Sequence, residues 1–310
     1  MNIKKILKKR FSGIYDYRLH LLRRKKIKEI EKLKKLPESE YPKMLAQTYE
    51  NAIGHKLDWD NLQTYTEKMQ WAKLYDKNPM KATLTDKYLV REWVENTVGG
   101  EYLIPLLGVW DRFDDIDFSE LPNSFVLKTN HGSGTNLIVK DKSKLNLKRA
   151  KRMFEDWMSI DYAFNSNFEM HYTDIKPKII AEKYMETATG ELPDYKFLCF
   201  DGQPYYCWVD SGRFTNHTRN VYDLEWTLQP WSQCHPISRE EIEKPKNFDV
   251  MIRLAKELSK GFPHVRVDFY NINGDLYFGE MTFTNASGLE KIYPAEWDKK
   301  LGDLWKLDIK

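Results

Sequence analysis

Two acids raise the question of what this chain does. In HVRVDFYNINGDLYFGEMTF, residues 264–283, Asp268 and Glu280 lie in two apolar runs joined by the turn signal Asn273-Gly274. Side chains alternate faces along a strand, so His264, Arg266, Asp268 and Tyr270 share one face, and Leu276, Phe278, Glu280 and Thr282 share one on the return strand. The turn decides whether these two faces coincide. A two-residue Asn-Gly turn pairs position 268 with 279 and sends Glu280 to the opposite side. A three- or five-residue loop with Gly274 left-handed brings the acids together. Like charges facing across a ladder are destabilising, and a divalent cation reverses that sign. Magnesium takes hard oxygen ligands, usually one or two carboxylates plus substrate phosphates. Converging acids therefore read as a clamp for a metal–nucleotide pair, with Arg266 as a fixed positive charge toward the same phosphates. The competing reading is a surface hairpin with scattered acids.

A second candidate is FVLKTNHGSGTNLIV, residues 125–139. Lys128 stands near a strand end, and Gly132 and Gly134 follow in a short polar loop whose backbone amides can approach phosphate oxygens. This is not the Walker pattern, and LIVKD after it reads as a strand, which argues for a hairpin lid rather than a P-loop. His131 either contacts phosphate or caps the turn. A third candidate is SGRFTNHTRNVYDLEW, residues 211–226, where Arg213 or Arg219 could bind a substrate carboxylate with its two-pronged fork. A basic surface loop is the alternative there.

Positioning these groups requires a core, and 310 residues with 41% hydrophobic content supply one, as a single lobed domain or two small ones. No run approaches the length of a membrane span, and MNIKKILKKRF lacks the apolar stretch of a secretion signal. Cys199, Cys207 and Cys234 form no CxxC pair and read as buried thiols of a reducing cytoplasm. The charge is uneven. Residues 1–36 hold 14 Lys and Arg against 3 Asp and Glu, while the remainder holds 35 against 43. With Ile3, Ile6, Leu7, Phe11 and Ile14 at helical spacing, residues 1–36 read as a cationic amphipathic helix, either docked on an anionic membrane face or packed on its own domain. Nucleic acid is disfavoured, because no aromatic–basic interleaving follows.

Residues 41–100 read as helical, with TEKMQWAKLYD and TDKYLVREWVEN each opening on a threonine N-cap. SFVLKTN and LIVKD read as strands, LNLKRAKRMFEDWM as a helix and PKIIAEKYME as a strand. DYKFLCFDGQPYYCWVDSG reads as a hairpin turning at Asp-Gly, and residues 238–260 as a helix. The class is α+β, with antiparallel sheet interleaved with helices. The expected division is 1–36, the basic helix; 37–120, mainly helical; 121–185, a lobe with the glycine-rich lid; and 186–310, a lobe with the acid pair.

TEKMQW, LTDKYLVREWV, EYLIPLLGVWD, FVLKTNHGSG, IIAEKYM, DYKF and RVDF…FGEMTF occur in that order over residues 40–305. The set resembles the ATP-grasp superfamily in its D-alanine–D-alanine ligase arrangement, and more closely the TupA-like ATP-grasp proteins of bacterial surface-polysaccharide clusters. The resemblance implies two α+β lobes sandwiching ATP, with an N-terminal helical region. It implies Lys87 and Lys128 on the nucleotide phosphates, and His131, Gly132, Ser133, Gly134 and Thr135 in the closing lid. It implies Glu182, Lys183, Tyr184 and Met185 as the adenine hinge. Asp194 would be the ribose acid, with Glu191 as substitute, and Lys196 would reach a phosphate. Arg266 would steady the transferred phosphoryl group, and Asp268 and Glu280 would hold Mg2+. The ligases carry Glu-x-Asn at the second metal position. Here Thr282 stands third, and Asn285 is the candidate for the missing oxygen.

The activity so implied is ATP-dependent carboxylate–amine ligation through an acylphosphate, joining an amino acid to a uronic acid or the reverse. The cysteine pattern places the protein in the cytoplasm, peripheral to the inner face of the membrane if the basic helix docks there. Three alternatives stand beside it: a sugar or small-molecule kinase, a glycosyltransferase, and a non-catalytic membrane-docked scaffold. The transferase would want a donor-site Asp-x-Asp, and Asp115-Ile116-Asp117 reads instead as a connector.

Overall fold

The computed structural model describes residues 12–187, 193–212, 216–238 and 240–307. Among the described residues, α1 (Ser12–Leu33), α2 (Tyr41–Ile53), α3 (Tyr65–Tyr75), α4 (Met80–Thr85) and α5 (Val90–Val98) precede the strands. Strands β1 (Leu106–Trp110), β2 (Phe125–Thr129) and β3 (Asn136–Val139) precede α6 (Leu147–Met158), α7 (Tyr162–Asn165) and β4 (Ile179–Lys183). Then come β5 (Asp194–Phe200), β6 (Gln203–Ser211), β7 (Thr218–Tyr222), β8 (Ser232–Gln233), α8 (Phe248–Ser259), β9 (His264–Ile272), β10 (Asp275–Thr282), β11 (Ile292–Tyr293) and α9 (Glu296–Leu304). Among the described residues, no helix is long and apolar enough to cross a membrane.

The chain forms two compact units that cut across sequence order. The first holds residues 1–38, 105–166 and 172–184; the second holds 39–104, 167–171 and 185–310. In the first, an antiparallel sheet runs β1-β4-β2-β3. Phe125, Leu127, Ile179 and Ala181 point to one face and bury against Ala150, Phe154 and Trp157 of α6, whose spacing makes one helical stripe. Lys128 and Glu182 alternate with these residues and so share the other face. Asn146 caps α6 by accepting from the Arg149 amide at 3.0 Å.

In the second unit an antiparallel sheet runs β10-β9-β5-β6-β7. On one face an apolar core forms: Phe197, Cys207, Val265, Val267 and Phe269 bury against Met251, Leu254 and Leu258 of α8. The other face is divided. Leu198, Trp208 and Val221 pack with Tyr65, Trp231 and Leu301, and the rest of it carries charge.

Four local expectations are corrected. The N-cap of α3 is Thr64, not Thr66: the Glu67 amide donates to Thr64 Oγ1 at 3.3 Å and the Thr64 amide to Glu67 Oε2 at 2.8 Å, a closed capping box. Thr66 instead donates to Asp298 Oδ2 at 2.5 Å. Thr85 caps nothing; Asp86 holds the amides of Tyr88 and Leu89 at 2.7 and 3.1 Å, and α5 starts at Val90. The helix expected over 238–260 is Phe248–Ser259, since Pro245 disfavours helix before it. Of the thiols, Cys199 and Cys207 are buried, but Cys234 is exposed.

The hairpin answers the parity question in a way neither loop length anticipates. Asn273 and Gly274, with φ of 55° and 97°, form a two-residue turn closing on the pair Ile272–Asp275. Tyr277 and Phe278 accordingly face Tyr270 and Phe269. Yet Glu280 faces Asp268, because a β-bulge at Gly279 moves the register by one residue. One extra residue exchanges the faces of everything beyond it. A Cβ at Gly279 would stand 3.1 Å from the Asp268 carbonyl oxygen, a tight approach that favours glycine at the bulge.

Candidate active site

The charged face of the second unit is built from adjacent strands. Arg266 lies at its centre. Its Nε donates to Asp268 Oδ1 at 2.7 Å; its Nη2 donates to Asp268 Oδ2 at 2.7 Å, to Glu280 Oε1 at 2.9 Å and to Thr282 Oγ1 at 3.1 Å. Its Nη1 donates to Asn285 Oδ1. Thr282 in turn donates to Glu280 Oε1 at 3.1 Å. The guanidinium thus supplies the positive charge that lets two acids converge. Burial pushes the Asp268 carboxyl above its ordinary range, against the pull of Arg266 and Lys196. Burial also acts to raise Glu280, but Lys87, Arg266 and Lys196 outweigh it and hold the carboxyl below its usual value. Lys87 stands in the turn that Asp86 pins between α4 and α5.

The neighbouring strand β5 continues the pattern. Lys196 pairs with Asp268 across the ladder. Its ammonium contacts Asp194 and lies 3.7 Å from Asp210 and 3.8 Å from Asp268. Asp210 receives Arg219 in a fork, Nε at 2.7 Å and Nη2 at 3.3 Å, and His217 Nε2 lies 3.3 Å from its Oδ1 without hydrogen-bond geometry. Arg219 also donates to the Gln233 carbonyl at 3.2 Å and lies over the Trp208 ring at 5.0 Å. Both prongs of its fork rest on Asp210. Arg213 and Glu191 lie outside the described residues.

A strained turn completes this region. Ala286, Ser287 and Gly288 are successively left-handed, with φ of 48°, 57° and 62°. Two residues of α3 hold their carbonyls. Gln70 donates to the Gly288 oxygen at 2.9 Å and the buried Lys73 to the Ser287 oxygen at 3.1 Å. Lys73 also donates to Gln70 Oε1 at 3.0 Å. Burial lowers the Lys73 ammonium well below its ordinary range, with Glu169 partly offsetting it. Asn285 enters this turn, so the clamp fixes the residue that bonds Arg266. Sequence reading missed Lys73, Gln70 and Asp210. The signal that could have found Asp210 is the Tyr206-Trp208-Asp210 alternation after the Asp201-Gly202 turn, which puts these three on one face. A lysine within a helical pattern gives no such signal.

In the first unit, Lys128 Nζ lies 2.5 Å from Glu182 Oε2. The glycine-rich segment is the β2–β3 connection. Thr129 Oγ1 donates to the His131 carbonyl at 2.8 Å and bonds Thr135 Oγ1 at 2.6 Å. Asn130 accepts from the Lys178 amide at 2.6 Å and donates to the Lys176 carbonyl at 3.0 Å. Ser133 and Gly134 form the exposed tip, while His131 and Gly132 are buried. Gly132 has φ of 81°, and a Cβ there would strike the Tyr162 ring. The Lys183 amide donates to the Pro105 carbonyl at 2.9 Å, and Lys140 covers the Tyr184 ring at 5.6 Å. Met185 and Asp194 belong to the second unit.

Among the described residues, no three His, Cys, Asp or Glu side chains are grouped to hold a metal unaided. Asp268, Glu280, Thr282 and Asn285 nonetheless offer hard oxygens to one locus, the guanidinium of Arg266. That donor set suits a magnesium ion completed by phosphate oxygens. It would share those oxygens with Arg266.

Among solved structures, the ATP complex of D-alanine–D-alanine ligase from Bacillus anthracis is similar at 17% identity and TM-score 0.38, over 65% of this chain and 54% of that one. The D-alanine–D-alanine ligase of Helicobacter pylori gives 12% and 0.40, over 71% and 56%. N5-carboxyaminoimidazole synthetase from Staphylococcus aureus gives 14% and 0.36, over 64% and 44%. The chain thus spans less than two thirds of the length of these proteins. No curated protein matches it. The TupA-like ATP-grasp family model matches residues 67–306, from Glu67 in the α3 capping box through the hairpin of Asp268 and Glu280 to α9, and the chain belongs to that family.

Proposed function

We propose that the protein is an ATP-dependent carboxylate–amine ligase that works on sugar-linked substrates of bacterial surface polysaccharide, joining an amino acid to a uronic acid. The observation supporting this most is the gathering of Arg266, Asp268, Glu280, Thr282 and Asn285 on one face of a family member's hairpin. A carboxylate oxygen of the first substrate attacks the γ-phosphorus of ATP, ADP departs, and an acylphosphate forms. An amine then attacks the acyl carbon and phosphate leaves. Such transfer is limited by positioning and charge neutralisation rather than by a protein nucleophile. Magnesium, held by Asp268 and Glu280, supplies charge neutralisation at the phosphates when bound.

The chain's own groups carry the rest. Arg266 orients the two acids and offers charge to the transferred phosphoryl group. Lys87, Lys128 and Lys196 bind phosphate oxygens, with Glu182 holding Lys128 in place. Residues 131–135 cover the phosphates and exclude water. The backbone of Lys183 and Met185 reads the base edge. Asp194 takes the ribose hydroxyls.

The test incubates the protein with Mg2+, ATP, uronic acids and amino acids. ADP, free phosphate and a mass-shifted amide in equal amounts support the reading. ADP with a phosphorylated product would make the enzyme a kinase, and UDP release from UDP-sugars without ATP would make it a glycosyltransferase.

A further inference from the structure

The first unit carries a surface that nucleotide chemistry does not use. Helix α1 is fastened to α6 along one side. His20 Nδ1 lies 2.9 Å and Arg23 Nη1 3.7 Å from Asp156 Oδ2, Arg23 lies 5.5 Å over the Trp157 ring, and Ile30 is buried. Lys34, at the end of the helix, reaches Asp161 at 3.2 Å. The helix is thereby held with its other side outward.

That outward side combines two features that seldom coexist on a merely solvated helix. Tyr17, Leu21 and Leu22 are 56%, 50% and 54% exposed. Arg18, Arg24, Lys25, Lys26, Lys28 and Lys32 are exposed among and beyond them, against only Glu29 and Glu31. Positions 17, 21, 25, 28 and 32 follow one stripe of the helix. Aliphatic and aromatic side chains on a strongly basic, fixed helix match the in-plane binding of a bilayer interface, where apolar groups enter the headgroup boundary and cations meet anionic headgroups.

A second observation extends the surface. A groove of about 550 Å³ runs between the edge strand β3 and α6, with Leu137, Ile138, Leu145 and Met153 in its lining and Lys140, Lys144 and Arg149 around it; Asp141, also in the lining, pairs with Lys144 at 2.6 Å. Arg149 and Met153 also border a smaller hollow with Leu19, His20, Arg23 and Arg152. Basic rim and apolar lining are therefore continuous from α1 to β3. Ile138 and Leu147 stand exposed beside it.

We propose that α1 and the basic rim of the β3–α6 groove dock this protein on a bilayer surface rich in anionic lipid. The charge of the whole chain supports a local rather than global attraction: residues 1–36 carry a net charge of +11 and the remainder −8. An anionic surface therefore attracts this segment and repels the remainder of the chain. The docking is independent of which reaction the protein performs.

Flotation of the full chain with vesicles tests this. Binding to phosphatidylcholine–phosphatidylglycerol vesicles, little to phosphatidylcholine alone, and loss of binding as salt rises are the expected results. The double variant Leu21→Glu, Leu22→Glu changes only exposed side chains, so circular dichroism stays unchanged while vesicle binding falls roughly tenfold or more. Arg149→Ala with Arg152→Ala weakens binding in the same direction. Equal binding to both vesicle types, no binding, undiminished binding by the leucine variant, or tighter retention on nucleic acid than on vesicles would each overturn the proposal.

Discussion

At the scale of residues, one guanidinium explains most of the site. Two acids brought face to face repel, and a ladder position does not tolerate that without a countercharge. Arg266 provides it by spanning Asp268 and Glu280 with a single nitrogen at 2.7 and 2.9 Å. Arg219 is held in the same way, with both prongs of its fork on Asp210. Arg219→Ala should therefore destabilise the fold by about 3 kcal/mol, because it leaves Asp210 buried with a weaker set of partners. Urea denaturation measures this. Parental stability with a raised KM for the acid substrate would instead return Arg219 to the substrate.

At the scale of elements, the hairpin turns on one missing Cβ. Gly279→Ala places a carbon about 3 Å from the Asp268 carbonyl, and the bulge must relax or the strand must shift. The variant should lose about 1–3 kcal/mol of stability and most of its ATP turnover, with both measured on the same preparation; a fully active, equally stable variant would mean that the bulge is dispensable. The turn after β10 makes a parallel case. Lys73→Met removes the bond to the Ser287 carbonyl while keeping the volume, and should lower kcat about tenfold or more by loosening Asn285, with KM for ATP little altered. An unchanged kcat would reduce Lys73 to packing.

These elements also mark how far the sequence could be read. The acids, Arg266, Lys128 and the glycine-rich hairpin were legible because each lies in a short strand beside a turn signal, where alternation fixes a face. Their convergence was not, because a bulge leaves no periodic trace: Phe278-Gly279-Glu280 reads as ordinary strand until its partner strand is known. Helix starts failed for a related reason. Thr66 and Thr85 sit where a cap is plausible, and only tertiary partners, Asp298 for one and the end of α4 for the other, decide against them. The assembly of residues 39–104 with 185–310 was equally hidden, since it depends on contacts such as Tyr65 with His264, 199 positions apart.

At the scale of the whole molecule, that same contact sets a pH limit. His264 is enclosed, with Nε2 2.9 Å from the Tyr65 hydroxyl and Nδ1 3.0 Å from the Cys199 carbonyl. Burial, aided by Lys81 and Arg266, brings the imidazole down to about 3, although the Cys199 carbonyl favours its protonation. The folded value lies below the unfolded one, so the unfolded chain binds the proton first as pH falls. The contribution is complete above the unfolded value and is lost progressively toward the folded one. His171, held at about 3 by burial and by Lys81 and Lys73, acts in the same sense. Between about pH 7.5 and 5, His264 alone should remove about 2 kcal/mol of stability. Denaturation at both pH values, with His264→Gln beside the parent, checks this: the variant should show a smaller loss by that amount, and identical losses would contradict it.

The central claim is that Asp268 and Glu280 grip a magnesium–nucleotide pair on the face organised by Arg266. Calorimetric titration with a non-hydrolysable ATP analogue tests it most directly. The account predicts binding heat that requires Mg2+ and falls by about 100-fold in affinity in Glu280→Gln, with the fold intact by circular dichroism. No heat with the parent protein, or the same affinity in Glu280→Gln, would contradict it.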